Sequence, residues 1–238
     1  MGSYYIGLSL LSNMPFHEVK QHRVKQRELS SAEGRRILLL MGGESFSGDN
    51  IAKDENGRPY LPGSEADFSI SHSGALTAVS MVTGRQLKTA IDVELVKSRP
   101  NMARIAEEFF SPAENKFVFS EREKSEKRFY LIWTLKECYL KLNGLSVFEM
   151  LCAPSFICDK GDGEGSARFV FESLNPPNYS YYVYELGCKN ELYIMTSVMQ
   201  AEGARPEIRW YSHLSLPAKR IAEINAVLSP AETVSPKK

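Results

Sequence analysis

The sequence predicts an α+β protein built from two similar α/β subdomains that lie side by side as a pseudo-dimer. Each half of the chain reads as a strand, then helix, then further strands, and residues 97–101 join the halves. Strand segments alternate with a period of two, whereas helical segments repeat with a period near 3.6. We therefore predict an N-terminal half over residues 1–97, a C-terminal half over 98–203, and a partly disordered extension over 204–238.

The first half begins with a predicted strand over residues 4–11. A basic stretch follows, and then a helical repeat that ends at Gly42-Gly43. Residues 48–62 are rich in turn-forming residues and are expected to be loop. Alternating segments then predict three strands, at residues 68–71, 76–82 and 87–96.

The second half opens with helices. Residues 102–110 are amphipathic, and residues 111–114 (Ser-Pro-Ala-Glu) have the composition of a helix start with a capping box. The longest predicted helix covers residues 126–143 and ends at Gly144. Strands are expected at residues 167–172, 179–185 and 191–199, and a terminal helix at 216–228.

Composition excludes several classes of protein. The 238 residues include 29 basic and 29 acidic ones, so no overall field attracts nucleic acid or an anionic membrane. The four cysteines lack CxxC spacing and are typical of reduced thiols. No apolar run approaches the roughly 20 residues of a membrane span, and the amino terminus lacks the features of a signal peptide. We expect a cytoplasmic monomer that binds neither nucleic acid nor membrane.

Two carboxylates lie two residues apart in an apolar predicted strand. Period-two geometry puts Asp92 and Glu94 on one face, with Ile91 and Val93 on the other. Mg²⁺ takes one or two protein carboxylates and fills its other positions with water and phosphate oxygens, which suits this pair. A half-exposed strand with an acidic outer face would have the same pattern.

The longest predicted helix carries a second set of charged residues. Glu137 and Lys141 point away from its apolar stripe, and Trp133 precedes Glu137 by one turn on the same side. An exposed Glu–Lys pair at i,i+4 is sufficient to explain these two residues. The large aromatic beside them favours a covered face. The apolar stripe itself consists of Leu131, Leu135, Cys138 and Leu142.

Other motifs narrow the chemistry. His72 lies between two serines before a glycine, where it is either a donor to a phosphate oxygen or only a turn residue. The chain has no G-x-S-x-G elbow and no GxGxxG or GxxxxGKS loop. A metal nuclease with an Asp…Glu-x-Lys motif fails on parity, because Lys97 follows Glu94 by three residues. The acidic and basic segments together indicate metal-assisted chemistry on a phosphate-linked group.

Five segments, in this order and spacing, resemble the Sfp-type 4′-phosphopantetheinyl transferases, in their long, pseudo-dimeric branch. They are Gly57-Arg58-Pro59-Tyr60, Phe68-Ser69-Ile70-Ser71-His72-Ser73, Ile91-Asp92-Val93-Glu94, Phe109-Phe110-Ser111-Pro112-Ala113-Glu114, and Trp133-Thr134-Leu135-Lys136-Glu137 with Lys141. The resemblance implies Mg²⁺-dependent transfer of 4′-phosphopantetheine from coenzyme A to a serine of an apo acyl or peptidyl carrier protein, releasing 3′,5′-ADP. The carrier would serve fatty acid, polyketide or nonribosomal peptide synthesis. An inactive module of the same fold that binds coenzyme A or the carrier is the alternative.

The resemblance also implies roles for individual residues. Magnesium, or manganese in its place, would be held by Asp92, Glu94 and Glu137. Catalytic roles are implied for Glu137, Lys141 and Glu114, and the base that activates the serine is left open between Glu114 and Glu137. Coenzyme A contacts are implied for Arg58, which replaces the usual lysine, and for Ser71, His72, Lys136, Lys20, Arg23 and Arg36.

Overall fold

A computed structural model describes residues 2–10, 23–46, 50–160, 167–171, 179–188, 190–200, 208–212 and 218–226. Its helices are α1 (Arg23–Gly42), α2 (Met102–Phe109), α3 (Pro112–Phe119) and α4 (Ser125–Asn143), with 3-10 turns at Glu44–Phe46, Arg122–Lys124 and Val147–Cys152. Its strands are β1 (Ser3–Leu10), β2 (Ala52–Lys53), β3 (Pro59–Tyr60), β4 (Ala66–Ser73), β5 (Leu76–Thr83), β6 (Lys88–Leu95), β7 (Phe156–Lys160), β8 (Ala167–Phe171), β9 (Tyr179–Cys188), β10 (Glu191–Gln200), β11 (Ile208–Ser212) and β12 (Ala218–Ala226).

The strands form two four-stranded sheets and two small two-stranded ones. The first sheet has the order β11-β1-β5-β4, and the second has the order β12-β9-β10-β6. Strand β1 runs parallel to β11, and every other neighbouring pair in these two sheets is antiparallel. The small sheets join β2 to β3 and β7 to β8.

Three buried apolar clusters set the order of the layers. On β5, Val79 packs in the cluster beneath α1, whereas its neighbour Ala78 packs in the cluster between the two sheets. From the second sheet, Val93 enters the cluster between the sheets, and Ile194 packs in the cluster with Leu135 of α4. The layers are therefore helix, sheet, sheet, helix, as the alternation of strand residues requires.

Two glycines meet local requirements of this arrangement. A Cβ atom at Gly7 of β1 would lie 2.2 Å from Cγ2 of Ile37, so only glycine permits the close approach of α1. Gly144 ends α4 with a φ of 67°, a conformation that glycine adopts without strain. The helix ending predicted at Gly144 and the capping box predicted at Ser111 and Glu114 are both confirmed.

The α+β class is confirmed, whereas the last part of the chain differs from the expectation. The terminal helix predicted over 216–228 is wrong, because Ala218–Ala226 pairs with β9 as an edge strand. The loop predicted over 48–62 contains β2 and β3, and β7 and β11 were not predicted. Short edge strands depend on the partner strand more than on their own sequence. Residues 227–238 lie outside the described part of the chain.

The predicted subdomain boundaries stay a prediction. Strand β6, assigned to the N-terminal half, pairs with β10 of the second sheet, and β11 of the extension pairs with β1 of the first. The pseudo-dimeric relation of the halves likewise stays a prediction. None of the helices in the described residues is both long and apolar enough to cross a bilayer.

Candidate active site

Two serines of β4 form hydrogen bonds with the two carboxylates of β6. Ser71 Oγ donates to Asp92 Oδ1 at 2.8 Å, and Ser73 Oγ donates to Glu94 Oε2 at 2.8 Å. The same hydroxyls accept hydrogen bonds from the backbone amides of the residues that follow each acid. Both carboxylates therefore face the seam between β4 and β6, which confirms the parity predicted for them. Asp92 is buried, so the alternative of an exposed acidic face does not hold for it.

Helix α4 is placed over the acidic strand by β10. Thr196 pairs in register with Asp92, and its Oγ1 lies 2.8 Å from Oγ1 of Thr134. The thiol of Cys138 donates to the Thr196 carbonyl at 3.1 Å. Cys138 is fully buried, which confirms its predicted place in the apolar stripe. These contacts bring the turn of α4 that carries Lys141 to the position of Asp92.

Lys141 forms an ion pair with Asp92. Its Nζ lies 2.6 Å from Asp92 Oδ1, and it also donates to Ser71 Oγ at 3.3 Å and to the Ile91 carbonyl at 3.2 Å. Burial lowers the pKa of Lys141, but the charges of Asp92 and Glu137 outweigh burial, and the net pKa is raised. Lys141 therefore contacts Asp92 of β6. An exposed i,i+4 pair with Glu137 does not explain its position.

The two glutamates of the cluster have raised pKa values. Burial is the largest cause for both Glu94 and Glu137, and the negative charge of Asp92 is the second. The pKa of Glu137 rises to about 7, so this carboxyl is partly protonated near neutral pH. Lys141 opposes the rise in both groups. Three carboxylates and one ammonium thus form a single electrostatic cluster.

We expect the raised pKa of Glu137 to make the unfolding free energy of the metal-free protein depend on pH. The reference pKa is 4.5 and the folded pKa is about 7, so folding favours the protonated form. This contribution is fully present below about pH 4.5 and is lost as the pH rises to about 7. Urea unfolding between pH 5 and pH 8 should therefore show a weaker loss of stability with pH in Glu137→Gln than in wild type. Glu65→Gln, at an exposed ion pair with Arg85, is the control, and equal slopes in wild type and Glu137→Gln would contradict the assignment.

The chemistry of the cluster fits a hard divalent cation. Among the described atoms, Asp92 Oδ2 is buried without a hydrogen-bond partner. Mg²⁺ needs only one or two protein carboxylates, which Asp92 and Glu94 are able to supply. Within the described residues, no three His, Cys, Asp or Glu side chains are close enough to form a ready three-ligand site. The complete triad with Glu137 therefore stays a prediction.

A cavity of about 320 Å³ lies next to Lys141. Two cations, Arg58 and Lys141, and one carboxylate, Glu149, line it, together with the apolar side chains of Phe68, Ile70 and Leu145. A cavity of this size with an apolar wall and few charged groups is typical of a small-molecule site. The cations suit phosphate, and the apolar wall suits an uncharged organic part of the same molecule.

Glu114 and Lys136 form a buried ion pair away from solvent. Glu114 Oε2 lies 3.2 Å from Lys136 Nζ, and the side chains are 0% and 2% exposed. Glu114 also accepts from the backbone amides of Ser111 and Phe156, at 2.7 Å each. Burial lowers the pKa of Lys136, although Glu114 opposes this. The catalytic role implied for Glu114 and the coenzyme A contact implied for Lys136 find no support in these contacts, because side chains closed to solvent do not reach a bound molecule without rearrangement.

Among the other residues implied for coenzyme A, His72 lies on β4 and Arg36 on α1. Lys20 lies outside the described residues, as does the side chain of Arg23. Arg36 is 45% exposed and pairs with Glu33 of the same helix at 2.6 Å. His72 is exposed on β4. Their contacts with coenzyme A stay predictions.

The sequence pattern alone assigned no role to three residues of the site. Ser73 shares a strand face with Ser71, so parity alone was sufficient to find it. Asp67 binds Arg58, and the Arg99 guanidinium lies 5.3 Å from the Tyr130 ring centroid. Burial raises the pKa of Glu94, and the charge of Arg99 acts in the opposite direction. Neither Asp67 nor Arg99 belongs to a recognisable motif, since the fold brings them to their partners.

The fold and site define an α+β protein with an acidic cluster and a cationic cavity, a combination suited to a phosphate-containing ligand. The family model of the 4′-phosphopantetheinyl transferase superfamily matches residues 89–194. This region runs from β6 into β10 and contains Asp92, Glu94, Glu137 and Lys141. Residues 89–194 are thus similar to this superfamily, which confirms the resemblance found in the motifs.

Individual relatives agree with the family model. A protein of Haemophilus influenzae, named as a proposed 4′-phosphopantetheinyl transferase, is 33% identical over 48% of this chain and 48% of its own length. A Synechocystis protein with the same provisional name is 28% identical over 71% of this chain and 74% of its own length. The phosphopantetheinyl transferase of Thraustochytrium is 24% identical over 81% of this chain and 70% of its own length. The chain thus spans about half the length of the first relative and about three quarters of the second.

Proposed function

We propose that this protein transfers 4′-phosphopantetheine from coenzyme A to a serine of an apo acyl or peptidyl carrier protein, with Mg²⁺. The observation that carries the proposal is the meeting of Asp92 and Lys141 at 2.6 Å beside a cavity that Arg58 also lines. The carboxylate of Asp92, which suits a metal cation, thus lies next to the ammonium of Lys141, which suits phosphate oxygens. The names of the relatives add support. A monomeric state and a cytoplasmic location belong to the same proposal.

The reaction joins the carrier serine to the phosphorus next to the pantetheine arm. The serine oxygen forms a new bond to this phosphorus, and the bond from phosphorus to the bridging pyrophosphate oxygen breaks. The electron pair of that bond leaves with 3′,5′-ADP, and the serine proton passes to a base. Such transfers depend mainly on positioning and on neutralising the charge that spreads over the phosphate oxygens.

The residues divide this work between them. Asp92 and Glu94 would hold Mg²⁺, which lowers the charge on the pyrophosphate. Lys141, kept protonated by its acidic neighbours, supplies a second positive charge to the phosphate oxygens. The cavity between Arg58 and Leu145 would accommodate part of coenzyme A. Each group acts by binding and by charge, as phosphoryl transfer requires.

We assign the base to Glu137. Glu137 is only partly buried and lies beside the charges of Asp92 and Lys141, so its carboxylate is able to reach a bound molecule. Glu114, the other candidate, is fully buried and accepts hydrogen bonds from two backbone amides besides its contact with Lys136. This assignment leaves Asp92 and Glu94 as the principal metal ligands, a number that Mg²⁺ commonly takes.

The test is a transfer assay with Mg²⁺, coenzyme A and several apo carrier proteins. We expect the carrier mass to increase by one phosphopantetheine arm, and we expect no increase when EDTA replaces Mg²⁺. A carrier with alanine in place of the acceptor serine is the control. Coenzyme A binding by calorimetry without transfer to any carrier would favour the inactive binding module. Absence of both binding and transfer would refute the proposal.

A further inference from the structure

We propose that Asp67 and Arg58 form a positioning pair that holds the last turn of α4 and so keeps Lys141 on Asp92. Asp67 orients the Arg58 guanidinium, and Arg58 fixes the backbone of Lys141. The packing argument depends only on the contacts of these residues. The catalytic consequence rests on the proposed function.

The guanidinium of Arg58 connects four parts of the fold. Arg58 itself lies between β2 and β3. Its Nη2 is 2.7 and 2.9 Å from the two carboxylate oxygens of Asp67 on β4, and 2.9 Å from the Thr89 carbonyl on β6. Its Nη1 donates to the carbonyl of Lys141 on α4. One side chain thus joins both sheets to the end of the helix.

Asp67 prepares the guanidinium for this contact. Its Oδ2 accepts a hydrogen bond from the Thr89 amide at 2.8 Å, so the carboxylate is itself fixed across the seam between β4 and β6. The Arg58 and Asp67 side chains are 19% and 24% exposed. A partly exposed ion pair adds little stability. The hydrogen bonds from the Arg58 guanidinium to the Asp67 carboxylate nevertheless fix the orientation of the guanidinium.

The end of α4 needs an outside donor. The last four carbonyls of a helix have no partner within the helix, and Lys141 is two residues before the last residue, Asn143. The amides of Gly144 and Leu145 both bond to the Leu140 carbonyl. Arg58 supplies the donor for Lys141, and its positive charge suits the negative end of the helix dipole.

Lys141 is therefore fixed at both ends. Arg58 holds its backbone carbonyl, and Asp92 holds its ammonium at 2.6 Å. A lysine at position 58 would keep the positive charge, but it lacks the planar fork that reaches Asp67, Thr89 and Lys141 together. Arg58 consequently has a function beyond charge, and loss of Asp67 should disturb it without removing any cation from the cavity.

The experiment compares Asp67→Asn and Arg58→Lys with wild type. Arg85→Gln is the matched control, because Arg85 lies in the turn after β5 and pairs with Glu65 at 2.9 Å but is 86% exposed. Initial rates are measured with coenzyme A and with 3′-dephospho-coenzyme A, and urea midpoints are recorded for every variant. In both Asp67→Asn and Arg58→Lys, we expect kcat to fall at least about tenfold with either substrate, whereas KM should change little. This is the effect expected when a catalytic group is displaced.

Comparing coenzyme A with 3′-dephospho-coenzyme A distinguishes a positioning role of Arg58 from direct binding of the 3′-phosphate. If Arg58 acts only as a ligand of the 3′-phosphate, Arg58→Lys will raise KM for coenzyme A alone, and Asp67→Asn will have no effect on kcat. That result would overturn the proposal, as would unchanged kinetics in both variants. Arg58→Lys is the milder change and provides the test if Asp67→Asn does not fold.

A second measurement does not depend on turnover. The rate at which a dilute amine-acetylating reagent modifies Lys141 is followed by mass spectrometry of its peptide, without coenzyme A. We expect at least threefold faster modification in Asp67→Asn and Arg58→Lys, and the wild-type rate in Arg85→Gln. If wild type transfers nothing to any carrier, the proposed function fails, while the modification rates still decide the positioning role. Equal rates in all four proteins would refute that role.

Discussion

Asp92→Asn and Lys141→Ala are each expected to lower the rate of phosphopantetheine transfer by at least about 10²-fold, the usual cost of losing one electrostatic contact with a transition state. Asp92 is the buried acid that faces Lys141, and its Oδ2 is the oxygen left for a cation. Asparagine keeps the shape and the hydrogen bond from Ser71 but removes the charge. Lys141→Ala removes the ammonium that would neutralise the phosphate oxygens.

Magnesium dependence separates the two variants. With Asp92→Asn, half-maximal rate should require a higher Mg²⁺ concentration, because a charged ligand has been lost. With Lys141→Ala, the rate at saturating Mg²⁺ should fall and the Mg²⁺ requirement should change less. Glu65→Gln, at an exposed ion pair, is the control and should retain wild-type rates. Turnover within about threefold of wild type in both variants would refute the assigned roles.

Glu114→Gln is expected to destabilise the protein by about 3–5 kcal/mol, because it leaves Lys136 as an unpaired charge in the interior. The two side chains are 0% and 2% exposed, so water is not available to replace the lost partner. Urea unfolding measures the change. Glu149→Gln is the control, because Glu149 completes a similar capping box with Ser146 but is exposed, and its loss should have a much smaller effect.

The double variant Glu114→Gln with Lys136→Met decides between structure and catalysis. Removing both charges should recover about 2–3 kcal/mol of the lost stability, with the remainder reflecting a backbone amide left without its carboxylate acceptor. We expect transfer activity to recover together with stability. If Glu114 were the base, the double variant would be stable and still slower than wild type by about 10²-fold or more.

Much of the secondary structure follows from local sequence alone. The period-two alternation around Asp92 and Glu94, the capping box at Ser111 and the glycine after α4 act over a few residues, where propensity and hydrogen bonding decide the outcome. The α+β class and the order of the acidic and basic segments were accordingly predictable. The edge strands β11 and β12 were not, because their conformation depends on pairing with β1 and β9.

The sequence by itself thus determined the α+β class, most helices and strands, and the residue types for phosphate and metal chemistry. Only the tertiary structure decided which charged residues meet. Asp92 reaches Lys141 across 49 residues, and Arg58 reaches the same helix across 83, whereas Glu114 and Lys136 are drawn into the interior as a pair. These outcomes depend on how the two sheets and α4 pack, because burial and distance set the strength of every charge interaction.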